Sequence, residues 1–393
     1  MTSDSKTRES IFEKSVDLVE LSSGERDGDK VRYRIRIDGK SYECYFSCAS
    51  LRLNADAEAA MCLTGLAAMS TVGAVRVSGE ASPVFLKNLT RITEIFSSWF
   101  PRYHRVEYSA VSVRSQPRQG RRIGAFFTGG VDSFYTFLKH RDEITDLIFV
   151  HGYDVDLDDL PRRHSVSAMG RAIAKESGVN FLELETDAIR IFRDFGRWGQ
   201  HAHGFGLASA ARHLADEFQR IYIPSTFSHQ DLVPWASHPD TDRLFGDETL
   251  ELIHDGLEAD RSAKVRAIVE DDLALRHLRV CWTRVEGHYN CGRCEKCLRT
   301  MTALQAFQAL HRCSTFEKEL QPQTILDLVI YDDSQRTFAR DNLKLLESCG
   351  QNNSPQAQAW RKILSRSKAA NIFRLSLKKI TKKLKRLKKK LGH

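Results

Sequence analysis

The sequence predicts an α/β protein whose centre is a five-stranded parallel sheet with helices on both faces. Three observations lead to this prediction: short apolar runs typical of buried strands, segments of helical periodicity between them, and a glycine-rich turn after the first run. The predicted strands are 123–127, 146–150, 181–185, 220–224 and 278–282. Helices are predicted at 163–177 and 204–218, where small and apolar residues recur at spacings of three and four.

A separate α+β domain is predicted over residues 15–115, ahead of the polar segment 115–122. Residues 32–37 and 41–46 alternate in polarity around Asp38-Gly39, which indicates a hairpin with a type I′ turn. A helix, a strand, a helix and a strand are predicted to follow at 55–69, 74–78, 83–100 and 105–113. Three cysteines of this domain are expected to be buried thiols with a packing role: Cys44, Cys48 and Cys62. Residues 1–14 are polar and are predicted to be disordered.

Residues 123–133 read Ile-Gly-Ala-Phe-Phe-Thr-Gly-Gly-Val-Asp-Ser, an apolar strand that runs into a glycine pair and then a helix. Because Gly129 and Gly130 have no Cβ, successive N–H groups can converge on one anion. Asp132 and Ser133 fall in the first helical turn, where unpaired N–H groups and the helix dipole favour phosphate. The turn lacks the lysine of a Gly-x-x-x-x-Gly-Lys-Ser/Thr loop, so cleavage between the β- and γ-phosphates is disfavoured. An ordinary strand-turn-helix junction is the alternative interpretation.

The hexapeptide Thr-Gly-Gly-Val-Asp-Ser at 128–133 resembles the pyrophosphate loop of the PP-loop ATP pyrophosphatases, which is usually Ser-Gly-Gly-x-Asp-Ser. Enzymes of that superfamily split ATP into AMP and pyrophosphate while they adenylate a substrate oxygen. The resemblance implies ATP and Mg²⁺ as cofactors, and Asp132 and Ser133 as catalytic residues. It also implies a set of nucleotide-binding residues: Thr128, Gly129, Gly130, Val131, Asp132 and Ser133.

Four cysteines follow the predicted sheet in the pattern C-x9-C-x2-C-x2-C: Cys281, Cys291, Cys294 and Cys297. Overlapping C-x2-C knuckles can place two thiolates each on one tetrahedral ion. Four thiolates leave no open position for water, which favours a structural zinc site over a catalytic one. An iron–sulfur cluster and free buried cysteines are the alternatives.

The loop and the cysteines together resemble the 7-cyano-7-deazaguanine synthases over residues 120–312, most closely at 281–299. In that family a carboxylate on a deazapurine is adenylated and captured by ammonia as an amide, which is then adenylated again and dehydrated to a nitrile. The segment His-Pro-Asp-Thr-Asp at 238–242 stands where the family has a Tyr-Pro-Asp-Cys stretch near its substrate. The resemblance therefore implies substrate contacts for His238, Asp240 and Asp242.

Two further groups of polar residues are candidates with weaker patterns. One is an acidic stretch after the second predicted strand, which either holds magnesium or is a solvated loop: Asp154, Asp156, Asp158 and Asp159. The other is a set of histidines that either form an acid–base group or second metal site or are ordinary loop residues: His201, His203, His229 and His238.

Charge is unevenly distributed along the chain. The formal net charge is +8, but residues 361–393 hold fourteen lysines and arginines and no acidic residue, which leaves −6 for residues 1–360. Apolar residues recur in this tail at spacings of four and three: Phe373, Leu377, Ile380, Leu384, Leu387 and Leu391. We therefore predict a basic amphipathic helix at 361–393, after a helical extension at 313–349 and a flexible linker at 350–360. An anionic membrane surface is the favoured partner, with nucleic acid, a protein partner or no partner as alternatives.

Taken together, the sequence predicts an ATP-dependent carbon–nitrogen ligase that adenylates a small-molecule or peptide carboxylate and uses an amine donor such as ammonia. A PP-loop RNA thiolase or tRNA-modifying enzyme is one alternative. A non-catalytic nucleotide-binding scaffold docked at a membrane is another. Because no run of eighteen apolar residues is present and no secretory signal is recognised, we expect a cytoplasmic protein, peripheral at the inner face of the membrane if the tail binds there.

Overall fold

The structure, a computed structural model, describes residues 25–37, 39–71, 74–114, 118–281, 289–330, 333–367, 370, 371, 374 and 376. The predicted disordered segment 1–14 lies outside these residues, as does the tail after residue 376. The strands are Glu25–Asp27 (β1), Lys30–Ile37 (β2), Lys40–Cys48 (β3), Ala74–Ala81 (β4), Glu107–Val113 (β5), Arg122–Phe126 (β6), Asp146–His151 (β7), Asn180–Thr186 (β8), Phe218–Pro224 (β9) and Glu251–Asp255 (β10).

The α-helices of the described residues alternate with these strands and then continue alone. They are Ala57–Thr71 (α1), Pro83–Trp99 (α2), Val131–Lys139 (α3), Leu160–Ser177 (α4), Ile189–Phe195 (α5), His203–His213 (α6), Pro239–Asp242 (α7), Arg261–Ile268 (α8), Asp272–His277 (α9), Glu295–Ala306 (α10), Pro322–Leu326 (α11), Asp333–Ser348 (α12) and Pro355–Leu364 (α13). The chain divides into two compact units, Met1–Phe127 with Lys139–Leu257 and Thr128–Leu138 with Glu258–His393.

The first unit contains an eight-stranded sheet in the order β1-β2-β3-β8-β7-β6-β9-β10. The five strands β8, β7, β6, β9 and β10 are parallel to one another, and β1, β2, β3 and β8 pair antiparallel in that order. All residues of β7 are buried, as expected for a central parallel strand that is covered on both faces. The prediction of an α/β protein is confirmed, and β6, β7, β8 and β9 coincide with four of the predicted strands.

The fifth predicted strand, at 278–282, is wrong. Residues 278–281 form no strand, and Trp282 lies outside the described residues. The fifth parallel strand is β10, which pairs with β9 at the edge of the sheet. Its sequence, Glu-Leu-Ile-His-Asp, buries only two residues and so lacks the apolar run that marks a central strand.

The predicted N-terminal α+β segment, residues 15–115, contributes strands to two sheets. Strand β3 pairs with β8, placing Phe46 opposite Thr186, so the hairpin of β2 and β3 extends the main sheet. Strands β4 and β5 form their own two-stranded parallel sheet within the same unit. The predicted elements themselves are confirmed, and Cys44, Cys48 and Cys62 are buried in them.

The second unit contains α3 and the helices from α8 to α13. Helix α13 occupies part of the predicted linker at 350–360, which is therefore wrong from residue 355 onward. Ser354 caps this helix by accepting a hydrogen bond from the Ala357 N–H at 3.1 Å. Trp360 is buried and donates from Nε1 to Thr302 Oγ1 at 3.1 Å, which anchors α13 to α10.

His213, at the end of α6, is a fully buried histidine in the first unit. Its Nδ1 lies 2.6 Å from the carbonyl oxygen of Ser209, so this nitrogen carries the proton and donates it. Nε2 therefore accepts the hydrogen bond from the Tyr33 hydroxyl at 2.8 Å. Burial lowers the pKa of His213 to about 4, against the opposing effect of the Ser209 carbonyl.

We expect this histidine to make the first unit sensitive to acid. Between its ordinary value of about 6.5 and its folded pKa of about 4, the unfolded chain binds more protons than the folded one. Its contribution to the free energy of unfolding is complete above pH 6.5 and falls by up to ~3 kcal/mol as the pH drops to 4. Denaturant unfolding at several pH values should show a shallower slope in His213→Gln. An unchanged slope would contradict the assignment.

Candidate nucleotide loop and metal centre

The predicted nucleotide loop follows β6 in the chain and leads directly into α3. Gly129 has φ = 73°, in the left-handed region where a side chain is strained. The Ser133 hydroxyl donates to the Gly130 carbonyl at 3.1 Å and accepts from the Thr128 N–H at 3.4 Å. Ser133 is only 4% exposed, so its hydroxyl closes the turn from within. The structure thus brings the predicted loop residues into one tight bend.

Asp132 faces two cations from α8, which sequence reasoning missed. Its Oδ2 accepts a hydrogen bond from Arg261 Nη1 at 3.0 Å, and Oδ1 lies 3.6 Å from Lys264 Nζ. Lys264 is buried, and burial lowers its pKa although Asp132 opposes this effect. Helix α8 carries no nucleotide-binding motif, and its only clear local signal is the cap, in which Asp260 accepts from the Ala263 N–H at 2.7 Å.

Arg279 contacts the loop from the segment that was predicted to be a strand. Its N–H donates to the Gly129 carbonyl at 2.7 Å, and its Nη1 donates to the Thr128 carbonyl at 3.2 Å. The backbone N–H of Arg279 thus bonds to the loop rather than to a neighbouring strand. Arg279 thus contacts the backbone of the loop, whereas Arg261 and Lys264 pair with the Asp132 side chain.

The loop region fits an anionic ligand with an accompanying cation. Among the described residues, three buried atoms here have no hydrogen bond: Arg261 Nε, Asp132 Oδ1, which lies 3.6 Å from Lys264 Nζ, and Arg299 Nε, which lies 3.3 Å from Glu295 Oε1. An unpaired buried polar group costs roughly 1–3 kcal/mol, so such groups mark places where a ligand is favoured. Phosphate oxygens suit the two guanidinium N–H groups, and a divalent cation suits the carboxylate oxygen.

The cysteine cluster has the geometry of a metal centre. The four sulfur atoms lie within 4.8 Å of one another. The distance is 3.7 Å between the sulfurs of Cys281 and Cys294 and 3.8 Å between those of Cys291 and Cys297. A tetrahedral zinc ion with sulfur at about 2.3 Å separates its ligands by about 3.8 Å. A multi-iron cluster spreads its cysteines further apart, so the spacing is compatible with zinc and favours a single ion.

Local structure explains how the cluster forms. Gly292 has φ = 65°, which lets the first knuckle turn tightly. Cys294 is the N-cap residue of α10, and Cys297 lies in the first turn of that helix. The thiols oppose one another's ionisation, and the hydrogen bond with Cys281 is the largest cause that raises the pKa of Cys294 to about 12. A bound divalent cation reverses this effect because it stabilises thiolates.

The three predicted substrate residues lie together at α7, in the first unit. His238 is buried with its ring edge-on to Trp99 at 4.7 Å, and burial lowers its pKa. Asp242 is fully buried and accepts from Ser237 Oγ at 2.6 Å and from His254 Nδ1 at 2.7 Å. Substrate contact by these residues stays a prediction.

A cleft of about 540 Å³ in the same unit is lined by Asp240 and His254, together with residues of α2 and β10. The buried carboxylate of Asp242 fixes the orientation of the His254 ring through the hydrogen bond to Nδ1. His254 was missed by sequence reasoning because β10 was missed, and no motif marks it.

The remaining candidates are not gathered into a metal site. His201 packs edge-on against Phe100 at 4.7 Å, and burial is the main cause that lowers its pKa. His203 lies 5.4 Å from the Trp198 ring, and His229 is exposed. Within the described residues, the cysteines form the one group of three or more side chains placed to hold a metal ion. The acidic residues Asp154, Asp156, Asp158 and Asp159 form no such group.

Comparison of the chain with protein-family models, with curated proteins and with solved structures finds no match. Over the part of the chain that the structure describes, no helix is both long enough and apolar enough to cross a membrane.

Proposed function

We propose that this protein is an ATP-dependent ligase that adenylates a substrate oxygen, most simply that of a carboxylate, and releases pyrophosphate. The observation that carries the proposal is the bend at 128–133 with Arg261, Lys264 and Arg279 around it. A polyanion is favoured where several cations lie beside a glycine turn and a helix start. The resemblance of the loop to the PP-loop pyrophosphatases supports ATP as that polyanion.

In the proposed first step the substrate oxygen attacks the α-phosphorus of ATP. The bond from that phosphorus to the bridging oxygen breaks, and pyrophosphate leaves with the electron pair. Arg261 and Lys264 stabilise the negative charge that develops on the leaving group. Asp132 is the carboxylate that would hold Mg²⁺, which neutralises phosphate charge when bound. Ser133 keeps the turn closed, so that the backbone N–H groups of the loop are fixed in advance.

In the proposed second step ammonia or another amine attacks the acyl carbon, the bond from that carbon to AMP breaks, and AMP leaves. The product is an amide or a conjugate, and a second adenylation followed by loss of AMP yields a nitrile. This sequence follows the resemblance to the 7-cyano-7-deazaguanine synthases, including the deazapurine class of substrate. The cysteine centre takes no part in it, because four sulfur ligands leave no open position on zinc.

The location of the protein belongs to the same proposal. A cytoplasmic enzyme is consistent with the use of ATP, and docking of the tail at an anionic membrane surface stays a prediction. Most of residues 361–393 lie outside the described part of the chain.

The proposal is tested by binding and by product formation with the full chain. Calorimetry should detect binding of ATP with Mg²⁺, and α-labelled ATP should yield AMP when a panel of carboxylates is supplied with ammonium. Ser133→Ala should weaken ATP binding by roughly 5- to 10-fold, since a hydrogen bond of about 1 kcal/mol that closes the loop is lost. The matched control is Ser348→Ala, an exposed serine near the end of α12. A folded, zinc-loaded protein without affinity for ATP would overturn the proposal.

A further inference from the structure

Each of two arginines near the nucleotide loop lies two residues from a metal-site cysteine. Arg279 precedes Cys281, and Arg299 follows Cys297. The cysteines themselves come from two separate segments, one at 281 and the other at 291–297, which a single ion would join. A bound ion would therefore join the segment that carries Arg279 to the segment that leads into Arg299.

The first segment is held by Asn290, which belongs to the second segment. The N–H groups of Val280 and Cys281 both donate to Asn290 Oδ1, at 2.9 Å and 3.2 Å. Asn290 is buried and directly precedes Cys291. The second cysteine segment thus holds the first one in place, and the first one carries Arg279, whose N–H and guanidinium contact Gly129 and Thr128.

The second segment positions Arg299 through α10. This helix starts at the cysteine knuckle, and the Arg299 guanidinium stacks on the Phe338 ring at 3.9 Å. The Arg299 Nε also lies 3.3 Å from Glu295 Oε1, one turn earlier in the same helix. Phe338 and Glu295 thus fix the direction of the Arg299 side chain.

We infer that the cysteine centre is a metal-dependent brace for the nucleotide loop: zinc fixes Arg279 against the loop, and ATP affinity depends on zinc although no cysteine touches the nucleotide. This inference rests on the proposed function, because it takes ATP as the ligand. Arg279 acts in it as a positioning residue. By thermodynamic linkage, ATP must then raise the affinity for zinc by the same factor by which zinc raises the affinity for ATP.

The experiment compares the zinc-loaded full chain with the same chain stripped by a chelator. Affinity for a non-hydrolysable ATP analogue is measured by calorimetry, and zinc affinity is measured by chelator competition with and without that analogue. We expect both affinities to change by one common factor, in the range of roughly 5- to 150-fold. Equal ATP affinity in the two forms would overturn the brace, and so would factors that disagree.

Variants separate a brace from a general loss of folding. Cys294→Ser should reduce zinc content and ATP affinity together, whereas Cys349→Ser, a cysteine outside the cluster, should change neither. Arg279→Met should keep zinc but weaken ATP binding and reduce the common factor. If Arg279→Met binds ATP as the wild type does, Arg279 does not transmit the effect and the brace is refuted.

Hydrogen exchange keeps the brace testable if ATP proves not to be the ligand. Zinc should slow amide exchange at residues 128–138 in the absence of any nucleotide, because the loop carbonyls receive the Arg279 hydrogen bonds. If the protein does not bind ATP but zinc still protects the loop from exchange, the proposed function is rejected and the brace is retained. If the protein binds ATP but zinc does not change the exchange of the loop, the brace is rejected and the proposed function is retained.

Discussion

Replacing Asp132 with asparagine is expected to reduce AMP formation by roughly 100-fold or more, while ATP binding without Mg²⁺ becomes tighter. In the structure the carboxylate neutralises Arg261 and Lys264, at 3.0 Å and 3.6 Å. It therefore occupies the cations that a phosphate group needs. Asparagine keeps the size of the side chain but loses its charge, so phosphate no longer competes with an internal anion.

The opposite effect on turnover has a separate cause. Once phosphate takes over Arg261 and Lys264, the Asp132 carboxylate is released, and its Oδ1, which has no hydrogen-bond partner among the described residues, can bind a cation. Asparagine is a weaker Mg²⁺ ligand because its oxygen is neutral. The variant should consequently bind ATP well and use it poorly, a combination that simple unfolding does not produce.

Calorimetry with and without Mg²⁺, together with AMP release from α-labelled ATP, measures both effects. Asp156→Asn is the matched control, since Asp156 is an exposed aspartate of the acidic stretch that was an alternative magnesium site. It should leave both quantities unchanged. If Asp156→Asn abolishes AMP release and Asp132→Asn does not, magnesium has been assigned to the wrong carboxylate.

The parts of the site that the sequence predicted are those built from neighbouring residues. Gly129 and Ser133 are four residues apart, and the turn they form depends on local backbone geometry and one side-chain hydroxyl. The cysteine knuckles are likewise local, so their spacing indicates a metal. Arg261 and Lys264 come from a helix more than one hundred residues beyond the loop, and an arginine or lysine in an ordinary helix carries no signal of its partner.

The same distinction applies to the sheet. The pattern of apolar residues located β6, β7 and β9 through short apolar runs, and β8 through the alternation of apolar and polar residues. It failed at the edge, where β10 is half polar, and it assigned an apolar run at 278–282 to a strand although that run supports the loop and the metal site. The hydrophobicity of a segment indicates that it is buried, but it does not indicate with which groups its backbone forms hydrogen bonds. The joining of β3 to β8 is a long-range pairing of this kind.

The largest expected effect on stability is at Arg212, a fully buried arginine of α6 in the first unit. It contacts Glu58 Oε2 at 3.1 Å and Asp247 Oδ2 at 2.7 Å, and it donates two hydrogen bonds to the Phe245 carbonyl. Arg212→Met keeps the apolar stem but removes one of the three arginines that pair with the buried Glu58 and Asp247; Arg114 and Arg118 are the other two. We expect a loss of ~3–5 kcal/mol in the free energy of unfolding, because Arg212 is the fully buried member of this cluster and its loss leaves the buried carboxylates less well compensated.

Two comparisons isolate the charge effect from lost packing. Arg220→Met removes an arginine whose pairs with Glu251 and Glu143 are partly exposed, so it should cost less than ~1 kcal/mol. Adding Glu58→Gln to Arg212→Met should recover part of the stability, since it removes one buried carboxylate from a cluster that has lost a cation, and Arg114 and Arg118 still pair with Asp247 at 2.9 Å and 3.5 Å. Because the chain has two compact units, hydrogen exchange at α1 and α6 is the appropriate measure beside denaturant unfolding. A cost for Arg212→Met no greater than that for Arg220→Met, or a double variant less stable than Arg212→Met alone, would mean that packing rather than charge holds this part of the fold.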